Sequence, residues 1–145
     1  MRELGRYLFL AGAAPYILLG LAHAWHTPFT TAENKGLSPR DRALRDEMAG
    51  AHVLLTRRTT LWLTWVGFNL SHSLGAVLFG AVVVLVGRSD ASFQAQAGVF
   101  LPLANVVSLC YLAIGLRCWF RTPLIGIALA GVCFLSAWLV FALAG

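Results

Sequence analysis

The fold is decided by the apolar stretch WLTWVGFNLSHSLGAVLFGAVVVLV, residues 62–86. A helix of about 20 apolar residues crosses the hydrocarbon core of a bilayer, and this stretch is long enough to do so. Its centre nevertheless carries Asn69, Ser71, His72 and Ser73. Polar groups at that depth are costly unless neighbours satisfy them, so they mark either a packing network or a functional site.

Three further apolar blocks occupy about residues 7–25, 93–119 and 123–143. The chain of 145 residues is 59% hydrophobic and only 12% charged, far from the composition of a soluble protein. Short turns between the last three blocks make consecutive helices antiparallel neighbours. The sequence therefore predicts a single transmembrane domain over residues 1–145, an all-α four-helix up-down bundle that contacts the lipid bilayer.

Residues 27–58 form the long polar connection between the first two blocks, and a helix start lies in its second half. Ser38 suits the N-cap and Pro39 the first helical position. Apolar residues then follow at helical spacing: Leu44, Met48, Ala51 and Leu55. Opposite charges stand four residues apart in two pairs: Asp41 with Arg45, and Arg42 with Asp46. We expect an amphipathic helix that lies on the membrane surface or on a partner.

The net charge of +5 is distributed as in a membrane protein. The basic residues border apolar blocks and do not form a stripe with interleaved aromatics, so we predict no nucleic-acid partner. Residues 27–58 hold six Lys and Arg and residues 117–121 hold two, whereas two precede the first block, one lies in 87–92 and none follows the last block. The positive-inside rule then places both termini on the non-cytoplasmic side, although Arg2 and Arg6 oppose this orientation.

The small residues of the second block could pack against another helix, and its polar residues could belong to a hydrogen-bonded network inside the bundle. Gly67, Ser71 and Gly75 repeat at four-residue spacing, which is typical of close helix packing in membranes. Counting about 1.5 Å per residue from the helix ends also places polar residues of all four helices near the bilayer midplane. This predicted polar network comprises Tyr16, Asn69, His72, Asn105, Ser108 and Ser136.

The histidines also allow a functional interpretation, since imidazole binds metal or haem and carries protons. His23 and His26 are spaced i, i+3 near the end of the first helix. His52 and Glu47 could come back to the same membrane interface through the long connection. Together these residues give a possible metal site of nitrogen and oxygen ligands. Taking Trp25 and Trp62 as markers of the interface, we expect His72 to lie about 10 Å or more deeper than His23 and His26. That difference makes a shared haem plane awkward, so the prediction gives no cofactor, with haem or a metal ion at these histidines as the alternative.

No catalytic set stands out. The sequence contains no nucleophile motif and no phosphate-binding glycine-rich loop, and every Asp and Glu lies outside the four blocks. Cys110, Cys118 and Cys133 show no paired spacing that would indicate a zinc cluster or a disulfide framework. We therefore do not expect an enzyme.

The segment WVGFNLSHSLGAVLFG, residues 65–80, resembles a motif of small bacterial four-helix membrane proteins of uncharacterised function, G-F-N-x-S-H-S in the second helix. Those proteins pair the motif with a histidine late in the first helix, as at His23 here. The resemblance implies an all-helical bacterial inner-membrane protein and carries over no catalytic residue.

These observations lead to one functional hypothesis and two competitors. The leading hypothesis is a non-enzymatic accessory or scaffolding subunit of a larger, energy-transducing membrane complex, bound to other membrane subunits in a bacterial inner membrane. The first competitor is a redox protein that binds haem, a metal ion or a quinone through its histidines. The second, a lipid or small-molecule transporter, would require a polar cavity open to one side.

Overall fold

The computed structural model describes residues 2–143 as an all-α bundle with one small hairpin. Its elements, in chain order, are α1 Arg2–His26, α2 Arg42–Gly50, β1 His52–Val53, β2 Thr56–Thr60, α3 Leu61–Gly87, α4 Asp90–Cys118 and α5 Arg121–Leu143. The four long helices, α1, α3, α4 and α5, are each long and apolar enough to cross a membrane. The predicted four-helix membrane bundle is confirmed, and the chain is a multi-pass membrane protein.

The chain divides into two compact units, which we describe separately. The first consists of the residues up to Leu19 and those from Ala76 onward, and the second is Gly20–Gly75. The first unit therefore holds α4, α5 and parts of α1 and α3. The second holds the connection between α1 and α3 together with the helical turns on either side of it.

The core of the first unit is built from aromatic rings and small residues. The rings of Phe9 and Phe93 have centroids 5.4 Å apart, and that of Tyr16 lies 4.6 Å from Phe79. Phe134 of α5 contacts several of these rings and is fully buried. Each of the four long helices thus contributes at least one aromatic side chain to one packed cluster.

Charged and capping groups fix the helix ends of this unit. Arg6 donates from Nη1 to the carbonyl of Gly87 at 3.1 Å, where α3 ends and its last carbonyls lack helical partners. Arg6 also pairs with Glu3 at 2.9 Å. At the start of α4, the Ser89 side chain accepts a hydrogen bond from the Ser92 amide.

In the second unit, α2 begins later than predicted. The N-cap is Asp41, whose carboxylate accepts from the Ala43 amide at 2.9 Å, and the helix starts at Arg42. Ser38, the predicted N-cap, instead accepts from the Lys35 amide and donates to the Glu33 carbonyl, each at 3.0 Å. The prediction failed because a serine hydroxyl can close a loop turn as readily as it caps a helix.

The helix also ends earlier than the apolar spacing indicated. It stops at Gly50, and His52 and Val53 then pair antiparallel with Thr60 and Thr56. The predicted apolar face is wrong beyond Met48, because Ala51 and Leu55 lie outside the helix. Gly50 is a poor helix former, and the threonines that follow are β-branched and favour strands.

Candidate functional site

The candidate site lies in the second unit, where the last turns of α1 meet α3. Asn69 and His72 are three residues apart on α3 and therefore share one face of that helix. His23 belongs to the last turn of α1, which ends at His26. Asn69 is 9% exposed, whereas both histidines are half-buried.

Hydrogen bonds fix the orientation of Asn69 and the tautomer of His23. The Asn69 Nδ2 group donates to the Trp65 carbonyl at 2.7 Å, so Oδ1 faces away from that carbonyl and can only accept. Oδ1 lies 2.8 Å from Nε2 of His23, which must therefore carry the proton and donate. In the neutral imidazole, the lone pair is then on Nδ1, the one nitrogen of His23 that could bind a metal.

His72 completes the cluster by direct ring contact. Its ring centroid lies 5.2 Å from that of His23, and the two ring planes are inclined by 67°. The predicted depth difference of 10 Å or more between these histidines is therefore wrong. The two rings come from different helices and lie side by side.

The depth prediction failed because Trp25 and Trp62 do not mark the same level. Since His23 contacts His72, α1 ends beside the middle of α3, and the first turns of α3 continue past that end. There Trp62 donates from Nε1 to the carbonyl of Phe29, in the connection, at 3.3 Å. Trp25 and Trp62 could be used to compare depths only if α1 ended and α3 began at the same level of the membrane. They do not, because α3 begins beyond the end of α1.

The paired imidazoles have the spacing of two ligands on one transition-metal ion. With metal–nitrogen bonds of about 2.1 Å and a tetrahedral angle, two ligating imidazole centroids lie roughly 5 Å apart. Within residues 2–143, no group of three or more His, Cys, Asp and Glu is placed to share a metal. A metal held by His23 and His72 would thus take its other ligands from oxygen groups of the chain, from water or from a partner.

The other two histidines lie elsewhere in the second unit. His26 is exposed and packs beside Gly36, where an added methyl group would lie 2.8 Å from its Nδ1. His52 is exposed in β1, and its Nδ1 lies 3.0 Å from the carbonyl of Thr59. Neither contact points to a metal site at the interface.

The contacts of the residues in the predicted polar network are described unit by unit. In the first unit, the hydroxyls of Tyr16 and Ser108 share a hydrogen bond of 3.0 Å. Asn105 donates from Nδ2 to the carbonyls of Leu101 at 2.9 Å and Phe134 at 3.2 Å. Ser136 is half-buried on α5, and among the hydrogen bonds that the structure defines it has none to these residues. Asn69 and His72 belong to the histidine cluster of the second unit.

The predicted packing stripe on α3 is open. Gly67, Ser71 and Gly75 are all exposed, and apart from the local backbone of α3 a methyl group on either glycine would meet no atom of residues 2–143 within 4 Å. Close helix packing through this stripe therefore stays a prediction, and within the described residues nothing packs against its glycines. Close helix contacts occur at other glycines, for example Gly12, where a methyl group would lie 2.4 Å from the ring of Phe134.

Sequence reasoning missed the pairing of His23 with Asn69 and the role of Gly12. The signal for the histidine pair was the expectation, drawn from the resemblance proposed for residues 65–80, that a histidine late in the first helix accompanies this motif. Spacing along a single helix could not show it, because the pair joins two helices. Comparisons of the chain with protein-family models, curated proteins and solved structures give no significant match.

Proposed function

We propose that this chain is a non-enzymatic membrane subunit that binds one transition-metal ion between His23 and His72. The observation that carries the proposal is the contact of the two imidazole rings, 5.2 Å between centroids, inside the segments long enough to span a membrane. Histidines in such segments are unusual, and they commonly bind ligands or ions or carry protons.

Asn69 supports this function as an orienting residue. Metal-binding histidines usually donate their second ring nitrogen to a fixed acceptor, which sets the tautomer and the direction of the ring. The Asn69 amide supplies that acceptor for His23 and is itself held by the Trp65 carbonyl. Loss of such a partner typically weakens metal affinity by about 10- to 100-fold.

A metal ion suits the pair better than haem does. A haem held by two histidines has the imidazoles on opposite faces of the porphyrin, with centroids roughly 6 Å apart and an open slot between them. Here the two rings contact each other at a steep angle. A single ion needs no slot and requires only that one nitrogen of each ring reach a common point.

The test is metal loading of the full chain in detergent, using Co²⁺ as a probe with a visible spectrum. We expect about one Co²⁺ per chain, lost on His23→Ala or His72→Ala and bound roughly 10- to 100-fold more weakly by Asn69→Leu. His26→Ala and His52→Ala are matched controls, because both histidines are exposed and lie outside the cluster.

Circular dichroism of each variant would establish that its helices are intact. The proposal is overturned if folded wild-type protein binds no metal, or if the control variants lose it as fully as the cluster variants. A haem absorbance band in the purified protein that is lost on His72→Ala would also overturn the proposal, because the histidines would then bind haem and not a single metal ion.

A second candidate function, an accessory subunit without a ligand, is favoured by the open stripe on α3. Gly67, Ser71 and Gly75 leave a smooth helix surface that no other helix of the described chain covers. Small residues of this kind allow a second helix to approach closely. We would isolate tagged protein from its native membrane in mild detergent and identify co-purifying subunits by mass spectrometry.

Replacement of Gly67 by leucine would separate the two functions. A partner that is lost from Gly67→Leu but kept by His72→Ala assigns the stripe to subunit contact.

The membrane is, in this proposal, a bacterial inner membrane, as the resemblance of residues 65–80 implies. The connection of residues 27–58 faces the cytoplasm, since it carries six of the eleven Lys and Arg.

A further inference from the structure

We propose that the connection between α1 and α3 contains a binding site for a phosphate group, as found on phospholipid headgroups and in free phosphate. A concave pocket of about 320 Å³ lies there, lined by Ala32, Asn34, Arg40, Arg42 and Arg45. Three of these five residues are arginines and none is acidic. The site is independent of the histidine pair and of the function proposed for it.

The arginines of this pocket keep their positive charge available. In the described part of the chain the ion pairs are Arg6 with Glu3 and Lys35 with Glu33, so none of the pocket arginines is neutralised by a carboxylate in contact. The predicted pair of Asp41 with Arg45 does not form, because the Asp41 carboxylate caps α2. The pair predicted between Arg42 and Asp46 does not form either.

Glu33, on the same loop as the pocket, is committed to Lys35. The two side chains are 3.0 Å apart, and the hydrogen bond from Lys35 lowers the pKa of the Glu33 carboxyl below its ordinary value of 4.5. Glu33 is therefore ionised at neutral pH, and its charge compensates that of Lys35. The pocket retains the charge of all three arginines.

Arg45 gives the pocket a fixed wall. Its side chain is 6% exposed. The guanidinium donates to the carbonyls of Pro39 at 2.6 Å, Glu33 at 3.3 Å and Thr31 at 3.5 Å, and to Asn34 Oδ1 at 3.1 Å. These bonds hold the planar cation in place before any ligand arrives, which lowers the entropic cost of binding.

Arg40 and Arg42 flank this wall and are exposed, so they are free to close on a ligand. Guanidinium groups bind phosphate through paired N–H···O bonds, more specifically than ammonium groups do. The volume exceeds that of one phosphate and leaves room for an ester substituent, and the pocket lies in a connection that both begins and ends at a membrane-spanning helix.

The test measures binding of two probes to the full chain in a neutral detergent. One is inorganic phosphate, followed by calorimetry, and the other is a short-chain phosphatidylglycerol, with short-chain phosphatidylcholine as its zwitterionic counterpart. We expect the double variant Arg40→Gln/Arg42→Gln to bind the preferred probe roughly 10- to 30-fold more weakly, since each arginine near an anionic headgroup contributes about a fivefold gain.

The matched control is Arg57→Gln/Arg58→Gln, which removes the same charge from exposed positions in β2 that do not line the pocket. Binding of both probes, lost only in the pocket variant, identifies a general phosphate site. Binding of phosphatidylglycerol alone identifies a lipid headgroup site. Equal weakening in both double variants, or no binding of either probe by wild-type protein, would overturn the proposal.

Discussion

At the scale of single residues, the aromatic core depends on one glycine at the point of closest approach. Gly12 of α1 lies against Phe134, which is fully buried and contacts the rings of Phe9, Tyr16 and Phe79. A methyl group at position 12 would lie within 2.4–2.7 Å of three ring carbons. No rotation of a flexible chain end relieves this overlap, because the ring itself is enclosed.

We expect Gly12→Ala to lower the free energy of unfolding by about 1–3 kcal/mol, the usual cost of overpacking a core. Gly67→Ala is the matched control, because nothing lies within 4 Å of its added methyl group. Alanine there should be neutral or stabilise α3 by up to about 1 kcal/mol, since it is a better helix former than glycine. Unfolding of both variants in detergent by added dodecyl sulfate, followed by tryptophan fluorescence, measures the difference. Equal unfolding free energies would contradict the packing described for Gly12.

The same two glycines show what sequence could not tell at this scale. Gly67 stands in a small-residue repeat that is typical of helix packing, yet its surface is open. Gly12 stands in no such repeat, yet it is tightly packed. A small residue permits close approach but does not bring a neighbour, and the neighbour of Gly12 lies more than a hundred residues further along the chain.

At the scale of the element, the connection before α2 is held by one buried arginine. The Arg45 side chain donates hydrogen bonds to the carbonyls of Thr31, Glu33 and Pro39. The segment of residues 31–39 contains no helix or strand. Backbone hydrogen bonds within this segment are few, for example that of the Ser38 amide with the Lys35 carbonyl at 2.9 Å. Hydrogen bonds from a charged donor contribute about 1.5–3 kcal/mol each, so Arg45 dominates the local order.

We expect Arg45→Gln to open this segment while leaving the four long helices intact. Hydrogen exchange measured by mass spectrometry should become about tenfold faster or more at amides of residues 31–38, the factor given by the loss of one charged hydrogen bond. Arg42→Gln is the control, because Arg42 lies on the same helix but is exposed. Unchanged exchange in Arg45→Gln, or equal acceleration in both variants, would refute this role of Arg45.

The sequence predicted the four long helices, but it did not predict the start of α2 or the hairpin that follows it. The four apolar helices could be read from composition, because a bilayer demands long apolar helices whatever their partners. The start of α2 and the hairpin could not, because Ser38 and Asp41 are both good caps and tertiary contacts decide between them. The offset between the end of α1 and the start of α3 hid the histidine pair, since no local pattern reports how far one helix extends past another.

At the scale of the whole molecule, the distribution of charge makes a prediction about orientation. The connection of residues 27–58 carries six Lys and Arg, whereas residues 87–92 carry one. Arg2 and Arg6 oppose the orientation that follows from these counts, but the charge of Arg6 is engaged by Glu3 and by the Gly87 carbonyl at the end of α3. We therefore expect the long connection to dominate and to face the cytoplasm.

Two cysteine positions on opposite sides test this orientation. Glu47 on α2 and Ala91 at the start of α4 are both exposed, and neither side chain holds a contact that a cysteine would break. In a background with Cys110, Cys118 and Cys133 changed to alanine, we expect a membrane-impermeant thiol reagent to label Ala91→Cys in intact cells. Glu47→Cys should react only after the membrane is opened, because the positive-inside rule places the six basic residues around it in the cytoplasm. The reverse labelling pattern would place the phosphate pocket outside the cytoplasm, and its ligand would then have to come from the outer leaflet or the external medium.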